Sequence, residues 1–355
     1  MTSALFEPFT LRGTTFANRA WVSPMCQYSS VDGLANSWHL VHLGSYALGR
    51  AGLVITEATA VEPEGRISPD DLGLWSDAHA EALAPVVDFV RGQGVPIGFQ
   101  LAHAGRKAST YAPWRGHDSV PLDEGGWETV GPSAQAFGRY AVPRAMDHAD
   151  LARTRAAFAA AAVRADGLGV DTVELHFAHG YLMHEFLSPL SNVRDDEYGG
   201  SLENRMRHPL EVIEAVRAVW PDAKPLLLRI SATDWVEGGW DVESSVVLAR
   251  LAHERGVDLV DVSTAGNDPR QQIPLGPGYQ VPFAARIRAE AGVATSAVGL
   301  ITEPAQAEEI VATGQADAVM IARALLRDPH WAMQAARELG AELAWPPQYE
   351  RAKPR

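Results

Sequence analysis

The sequence predicts an α/β fold, a TIM barrel in which eight parallel strands alternate with helices. Eight short apolar or β-branched runs recur along the 355 residues, and the segments between them have helical periodicity. These helical segments commonly end at Gly or just before Pro, where a helix must stop before the next strand. The runs themselves are continuously apolar, which is typical of strands buried on both faces in a parallel barrel. We therefore expect a single barrel domain over residues 1–355.

The predicted elements follow in chain order after an N-terminal segment that is expected to cap the barrel. The predicted strands are 21–23, 53–56, 97–101, 172–175, 226–230, 259–262, 295–298 and 318–321. The predicted helices between them include 81–91, 151–165, 210–219, 246–255 and 304–313. Segment 104–148 is rich in Gly, Pro, Trp and Arg and has no clear period, so it is predicted to be an insertion after the third strand. We expect it to cover the barrel mouth as a lid.

Composition and charge exclude several classes of function. With 44 acidic against 30 basic residues the formal net charge is -14, so the chain as a whole repels phosphate backbones and anionic lipid. No apolar run approaches the roughly 20 residues that a membrane span needs. Cys26 is the single cysteine, which excludes an internal disulfide and a cysteine-rich metal site. We expect a cytoplasmic protein that binds neither nucleic acid nor membrane.

Polar residues follow the predicted strands at their carboxyl ends, where TIM barrels carry their chemistry. Gln100 and His103 lie at the end of the third strand, Arg229 in the fifth and Arg323 after the eighth. Burying such groups beside apolar runs is costly unless each is paired. Each residue taken alone could belong either to a ligand site or to a structural ion pair. The four residues together favour a ligand site.

Two histidines and a tyrosine follow the fourth predicted strand at close spacing. His176 and His179 could begin a zinc site, for which His184 or Glu185 would supply a third ligand. The two imidazole N–H groups could instead bind a carbonyl or nitro oxygen while Tyr181 supplies a proton. Packed histidines without chemistry are the third interpretation.

Residues near the last two predicted strands are typical of a phosphate site. Gly299 follows the seventh strand and Arg323 the eighth, where many barrels hold a phosphate. No G-x-G-x-x-G follows a strand and no G-x-x-x-x-G-K-[ST] occurs, so neither a Rossmann crevice nor a P-loop is supported. A phosphate-binding aldolase or isomerase and a barrel without catalysis remain as alternatives. For an aldolase, Lys107, Lys224 and Lys353 are poorly placed to form a Schiff base.

Four motifs carry a resemblance to a known family. They are Ser23-Pro-Met-Cys-Gln-Tyr28, Gln100-Leu-Ala-His-Ala-Gly-Arg-Lys107, His176-Phe-Ala-His-Gly-Tyr181 and Asp196-Glu-Tyr-Gly-Gly-Ser201. The chain resembles the Old Yellow Enzyme family of FMN-dependent ene-reductases, and within it the thermophilic-like subclass. The motifs occur in family order along nearly the whole chain.

The resemblance implies a tightly bound, non-covalent FMN, with NADPH as a transient hydride donor and no metal. The implied flavin contacts are Ser23, Pro24, Met25, Cys26, Ala58, Gln100, His176 and Arg229, and the implied phosphate contacts are Gly299, Ala322 and Arg323. The positive charge of Arg229 would stabilise the anionic reduced flavin. Ala322 stands where relatives commonly have glycine.

The resemblance also implies the reaction and its residues. NADPH reduces FMN, and flavin N5 then delivers hydride to Cβ of an α,β-unsaturated carbonyl or nitroalkene, the substrates being enones, maleimides or nitro compounds. His176 and His179 would hold the substrate oxygen, and Tyr181 would protonate Cα. Tyr28 and Cys26 would contact substrate. Ping-pong kinetics would follow from the shared site.

The tail 341–355 has a further implied role. Within it Arg351 matches an arginine that enters the active site of a neighbouring subunit. The resemblance therefore implies a homodimer, or a tetramer built from such dimers, in which Arg351 binds substrate in trans.

Overall fold

Eight parallel strands close into a barrel in the computed structural model, which describes residues 3–353. The described residues contain twelve strands in all, eight in the barrel and four in two small two-stranded sheets. They are β1 (Phe9–Leu11), β2 (Thr14–Phe16), β3 (Ala20–Val22), β4 (Leu53–Ala60), β5 (Ile97–Ala102), β6 (Val130–Gly131), β7 (Arg144–Ala145), β8 (Thr172–Phe177), β9 (Leu226–Ser231), β10 (Leu259–Ser263), β11 (Ala294–Ala297) and β12 (Ala318–Ile321). The order around the barrel is β3-β4-β5-β8-β9-β10-β11-β12, and β12 pairs with β3 to close it. All eight predicted strands are confirmed, and β4 extends four residues beyond the predicted 53–56.

Helices lie between successive barrel strands, and two more follow the last strand. They are α1 (Ser37–Leu48), α2 (Asp77–Gly92), α3 (His148–Gly167), α4 (Leu182–Leu187), α5 (Leu202–Arg217), α6 (Val242–Glu254), α7 (Val281–Ala291), α8 (Pro304–Ala312), α9 (Arg323–Arg327) and α10 (Trp331–Glu338). The predicted start of α5 at 210 was wrong. The helix begins eight residues earlier because the Ser201 side chain accepts a hydrogen bond from the Asn204 N–H, and Pro209 is accommodated inside the helix.

The two faces of the barrel strands differ, which corrects the prediction that the strands are continuously apolar. In β8, Val173, Leu175 and Phe177 belong to the apolar layer between barrel and helices. The alternate residues Glu174 and His176 point into the barrel instead. The polar side chains of these strands thus lie on the inner face, among runs whose other residues are mostly apolar.

The amino-terminal ends of the strands form a closed apolar floor. Trp21 is fully buried there, with Leu227 and Leu259 in the same cluster. The β1-β2 hairpin covers this floor, since the Phe9 and Phe16 rings lie 6.2 Å and 4.6 Å from the Trp21 ring. The predicted N-terminal cap is thus confirmed, and it leaves the opposite end as the open mouth.

Segment 104–148 is mostly irregular and follows β5. It contains two short 3₁₀ turns, Gly105–Lys107 and Leu122–Glu124, and the small parallel pair β6-β7. Among the described residues, no helix combines the length and the apolar character that crossing a membrane requires.

Candidate active site

Adjacent strands bring His176, Arg229 and Asp261 side by side near the barrel mouth. His176 in β8 is in register with Arg229 in β9, which is in register with Asp261 in β10. The Arg229 Nε lies 3.0 Å from an Asp261 carboxylate oxygen, and Arg229 Nη1 donates to Ser23 Oγ at 3.3 Å. Arg229 thus has protein partners that hold its guanidinium in one place.

The rings of His176, His179 and Tyr181 converge just above this level. The His176 ring centroid lies 5.1 Å from that of His179 and 5.1 Å from that of Tyr181. A left-handed turn brings them together, with φ of 61° at His179 and 70° at Gly180. A Cβ at Gly180 would lie 2.2 Å from the Gly266 carbonyl oxygen, so this position requires glycine.

Both imidazoles are neutral. Burial, followed by the charge of Arg229, lowers the pKa of His176 and of His179 well below the usual value of 6.5. The Nδ1 of His176 is buried and has no hydrogen-bond partner among residues 3–353. His179 Nε2 lies 2.7 Å from Ser263 Oγ. An unpaired buried nitrogen is costly in a folded protein unless something completes it, so His176 is suited to bind a ligand.

Tyr181 borders a cavity of about 250 Å³ at the mouth. Tyr28 lines the same cavity, as do residues from segment 104–148. Burial raises the pKa of Tyr181 above its usual value, and Cys26 and Tyr28 add to the shift. The phenol of Tyr181 therefore carries its proton at neutral pH.

Lys107 is a residue of this site to which the sequence analysis gave no role. Its Nζ donates hydrogen bonds to the carbonyl oxygens of His179 at 2.7 Å and Gly266 at 2.9 Å. It also lies 5.0 Å from the centre of the Tyr181 ring. Burial lowers its pKa to about 8. Lys107 is the last residue of the motif Gln100–Lys107, so the sequence does mark this position. Only the fold shows that the lysine side chain reaches the turn at His179.

The segment after β3 lies at the same rim. The Ser23 N–H donates to the Ile321 carbonyl, which ties the segment to β12. Pro24, Met25 and Cys26 follow it and are partly exposed. Burial first, then Asp71 and Glu57, raise the pKa of the Cys26 thiol, so the thiol is not ionised at neutral pH. Ala58 in β4 is buried and in register with Gln100.

The four polar residues expected to gather in one ligand site do not all do so. Gln100 Nε2 donates to Glu174 Oε1 at 2.7 Å, so this amide is held by a protein partner as Arg229 is. The His103 Nε2 lies 3.7 Å from a carboxylate oxygen of Glu62, so this side chain faces a protein partner. Arg323 is exposed, which contradicts the expectation that it is buried beside its strand.

A second cavity, of about 270 Å³, lies beyond β11 and β12 and contains three predicted phosphate contacts. Gly299, Ala322 and Arg323 line it. Gly299 has φ of 119°, and a Cβ there would lie 2.9 Å from Gln280 Nε2 and 3.1 Å from the Tyr279 ring. The missing side chain therefore keeps this cavity open. Tyr279 and Gln280 were not found from the sequence, because no motif marks them.

Arg351 is not brought to the other predicted site residues of its own chain. It lies exposed in the C-terminal 3₁₀ turn Pro347–Ala352. This turn packs near α10, where the Tyr349 ring lies 5.8 Å from that of His330.

The arrangement does not support the zinc interpretation. His184 Nδ1 accepts a hydrogen bond from the Gly180 N–H at 2.9 Å, and its Nε2 lies 2.9 Å from Asp234. Glu185 Oε1 accepts from the Arg106 N–H at 2.9 Å. Neither nitrogen of His184 is thus available as a third ligand beside His176 and His179.

Residues 4–342 match the NADH:flavin oxidoreductase / NADH oxidase family. The chain belongs to this family. It is therefore an oxidoreductase whose cofactor is the flavin FMN, as the resemblance to the Old Yellow Enzymes implied.

Curated relatives match this oxidoreductase from end to end. It is 49% identical over 354 residues to an NADPH dehydrogenase of Geobacillus sp. (strain WCH70), covering 99% of both chains. It is 47% identical over 354 residues to an NADPH dehydrogenase of Bacillus subtilis (strain 168), again covering 99% of both.

Solved structures show the same fold. Morphinone reductase in complex with tetrahydroNAD is 27% identical, with a TM-score of 0.79 over 97% of this chain and 93% of that one. The Old Yellow Enzyme homologue from Zymomonas mobilis is 25% identical, with a TM-score of 0.77 over 96% of this chain and 94% of that one.

Proposed function

We propose that this flavin oxidoreductase is an NADPH-dependent ene-reductase that reduces activated C=C bonds of enones, maleimides and nitro compounds. The observation that carries the proposal is the cluster of two neutral imidazoles and a protonated phenol at the barrel mouth. Such a cluster suits a substrate that gains negative charge on an oxygen and then needs a proton at carbon.

The residues at the mouth fit FMN. A buried unpartnered nitrogen on His176 and a cavity kept open by Gly299 both favour a ligand with ring heteroatoms and a phosphate. The ring is assigned to Ser23, Pro24, Met25, Cys26, Ala58, Gln100, His176 and Arg229, and the phosphate to Gly299, Ala322 and Arg323. The exposed Arg323 is suited to a phosphate, because its guanidinium has no competing carboxylate partner among residues 3–353. When bound and reduced by NADPH, FMN supplies the hydride that adds to Cβ of the substrate.

The protein's own groups carry the other half of the reaction. His176 and His179 donate hydrogen bonds to the substrate oxygen, which is made electron-rich as hydride adds to Cβ. Because both imidazoles are neutral, each has one N–H to donate. For His179 this N–H is on Nδ1, while Nε2 accepts a hydrogen bond from Ser263 Oγ. The phenol of Tyr181 gives its proton to Cα. The Lys107 ammonium, close to the face of the Tyr181 ring, stabilises the phenolate that is left.

Substrate binding is assigned to Tyr28, Cys26 and, from a second subunit, Arg351. Segment 104–148 is proposed to act as a lid, because several of its residues line the cavity that Tyr28 and Tyr181 border. We propose a homodimer, or a tetramer of such dimers, acting in the cytoplasm. Deleting 349–355 should then raise the substrate KM and lower the mass in solution, whereas an unchanged KM and mass would contradict the role in trans.

Anaerobic visible spectra test the proposal directly. The flavin band should bleach with one equivalent of NADPH and return when cyclohexenone is added. A band that bleaches but does not return would overturn the ene-reductase assignment. A protein that takes up no FMN would contradict the assignment of the flavin-binding residues.

A further inference from the structure

A buried charge cluster lies inside the barrel just below the histidine pair. Glu174 precedes His176 by two residues on β8, so it points to the same side and lies roughly 6.6 Å deeper. Arg229 of β9 and Asp261 of β10 complete the cluster. Glu174 and Asp261 are 0% exposed and Arg229 is 5% exposed. The cluster thus contains one cation and two carboxyl groups with no access to bulk water.

Asp261 is the carboxylate that pairs with Arg229. One of its oxygens lies 3.0 Å from Arg229 Nε, and the other accepts a hydrogen bond from Ser296 Oγ at 2.9 Å. Burial raises the pKa of Asp261, but Arg229 and the Ser296 hydrogen bond oppose this rise. Asp261 is therefore the carboxyl group that keeps its negative charge, and it already compensates the charge of Arg229.

The surroundings of Glu174 stabilise a negative charge much less than those of Asp261 do. Its Oε1 accepts one hydrogen bond, from the neutral amide of Gln100 at 2.7 Å. Its Oε2 has no hydrogen-bond partner, and no cation forms an ion pair with it in the part of the chain that the structure describes. A fully buried carboxylate with one neutral partner is strongly disfavoured relative to the protonated acid.

We propose that Glu174 is a positioning residue that stays protonated in the folded protein and so keeps the Glu174–Arg229–Asp261 cluster electrically neutral below the histidine pair. This inference rests on the proposed function, since it assigns the ring of FMN to Arg229. If Glu174 were ionised, the cluster would carry one net negative charge. The role of Arg229 toward a reduced, anionic flavin would then be lost.

The other groups around Glu174 agree with this assignment. Burial first, then the charge of Asp261, raise the pKa of Glu174 to about 8, while Arg229 and the Gln100 bond oppose the rise. From β5 it meets only the neutral Gln100, and His176 on its own strand is neutral. Glu174 therefore loses its proton only at alkaline pH.

The protonation of Glu174 should affect the midpoint potential of the bound FMN. Above about pH 8, reduction of FMN held at Arg229 would be accompanied by protonation of Glu174, because an added negative charge near Arg229 would favour the neutral acid. The midpoint potential should then fall more steeply with pH from that point. Glu174→Gln, which cannot ionise, should lose this bend. Asp261→Asn should move the potential upward, because Arg229 then has no carboxylate partner.

Infrared difference spectra test the protonation state on the full chain, with or without bound flavin. With ¹³C-labelled glutamate, the wild type should show the carbonyl band of a protonated side chain that Glu174→Gln removes. Glu185→Gln is the matched control, because Glu185 is a second buried glutamate whose pKa is raised to about 8. Glu185→Gln should remove only the carbonyl band of Glu185. No band lost in a folded Glu174→Gln variant would overturn the proposal.

Two further results would also support or overturn the proposal. If Glu174→Gln does not fold, one labelled acid band surviving in Glu185→Gln supports the proposal and none overturns it. In potentiometry, a bend that persists unchanged in Glu174→Gln overturns it as well. Failure of the wild type to bind FMN would count against the proposed function alone, since the infrared result does not depend on flavin.

Discussion

The two ends of the same barrel strands have opposite chemistry. At the floor, Leu227 and Leu259 pack with Trp21 in a fully buried apolar cluster. Two residues further along the same strands and on the same face, Arg229 and Asp261 form an ion pair. The floor is stabilised by apolar packing alone. The mouth consists of polar groups, each of which needs a hydrogen-bond partner, an ion-pair partner or a ligand.

This difference separates the sources of stability from the sources of function. The apolar side chains at the floor need no hydrogen-bond partner, but a substitution that removes volume there leaves a cavity and lowers stability. The mouth carries left-handed residues, unpartnered nitrogens and shifted pKa values, all of which cost stability and are retained where chemistry needs them. Substitutions at the floor should therefore change stability, and substitutions at the mouth should change rates or pH dependence.

The largest effect is expected at the floor. Trp21→Ala should lower the free energy of unfolding by about 3–5 kcal/mol, because it removes a fully buried indole that packs on Phe16. Denaturant unfolding of the full chain measures this. The matched control is Trp114→Ala in segment 104–148, where the side chain is 66% exposed and the change should be within about 0.5 kcal/mol. Equal losses in the two variants would contradict the comparison.

At the mouth, Tyr181→Phe should slow reoxidation of the reduced flavin by an enone about 100-fold, because the general acid is lost. Reduction by NADPH and the unfolding free energy should be unchanged. Stopped-flow spectroscopy separates the two half-reactions. Tyr140→Phe, which alters a second tyrosine lining the same cavity, should leave both rates near those of the wild type. A full rate in Tyr181→Phe would assign protonation to solvent.

Buried carboxyl groups near the mouth should make stability depend on pH. Burial raises the pKa of Asp71 and Glu185 to about 8, so the folded state binds more protons than the unfolded state. Their contribution is complete below the unfolded pKa of about 4 and is lost as pH rises through 8. Between about pH 7.5 and 8, where the histidines of the unfolded chain are also mostly neutral, the free energy of unfolding should fall with rising pH, by up to ~1.4 kcal/mol per pH unit for each group. Glu185→Gln should make this slope shallower, and an unchanged slope would contradict the assignment.

The smallest effect is expected for the hydrogen bond that orients His179. Ser263→Ala should weaken binding of the substrate oxygen by up to about tenfold, because the neutral imidazole is no longer held in one tautomer. The ¹⁵N shifts of His179 should show mixed tautomers, and the substrate KM should rise. Thr264→Val is the control, since the hydroxyl of the neighbouring Thr264 donates to Gln280 Oε1 and not to His179. A single unchanged tautomer in Ser263→Ala would refute the role of Ser263.

The sequence was a good guide to elements and a partial guide to the site. The strand positions followed from apolar runs, and the spacing from His176 to Tyr181 predicted that the two imidazoles and the phenol lie together, as their rings do. The inner face was misjudged, because Glu174 and Asp261 sit singly inside runs whose other residues are apolar. Lys107 was visible in its motif, but its contact with the His179 carbonyl depends on a turn that no local pattern encodes.

The sequence by itself determined the eight strands, the glycine positions of the turns and the grouping of two histidines with a tyrosine, since these depend on residues that are neighbours along the chain. Only the tertiary structure decided which partner each buried polar group has. Gln100 reaches Glu174 across 74 residues and His179 reaches Ser263 across 84. Such pairs are set by strand register and barrel closure, which bring distant residues together, and their energies determine which mouth groups are neutral, which are charged and which stay unpaired.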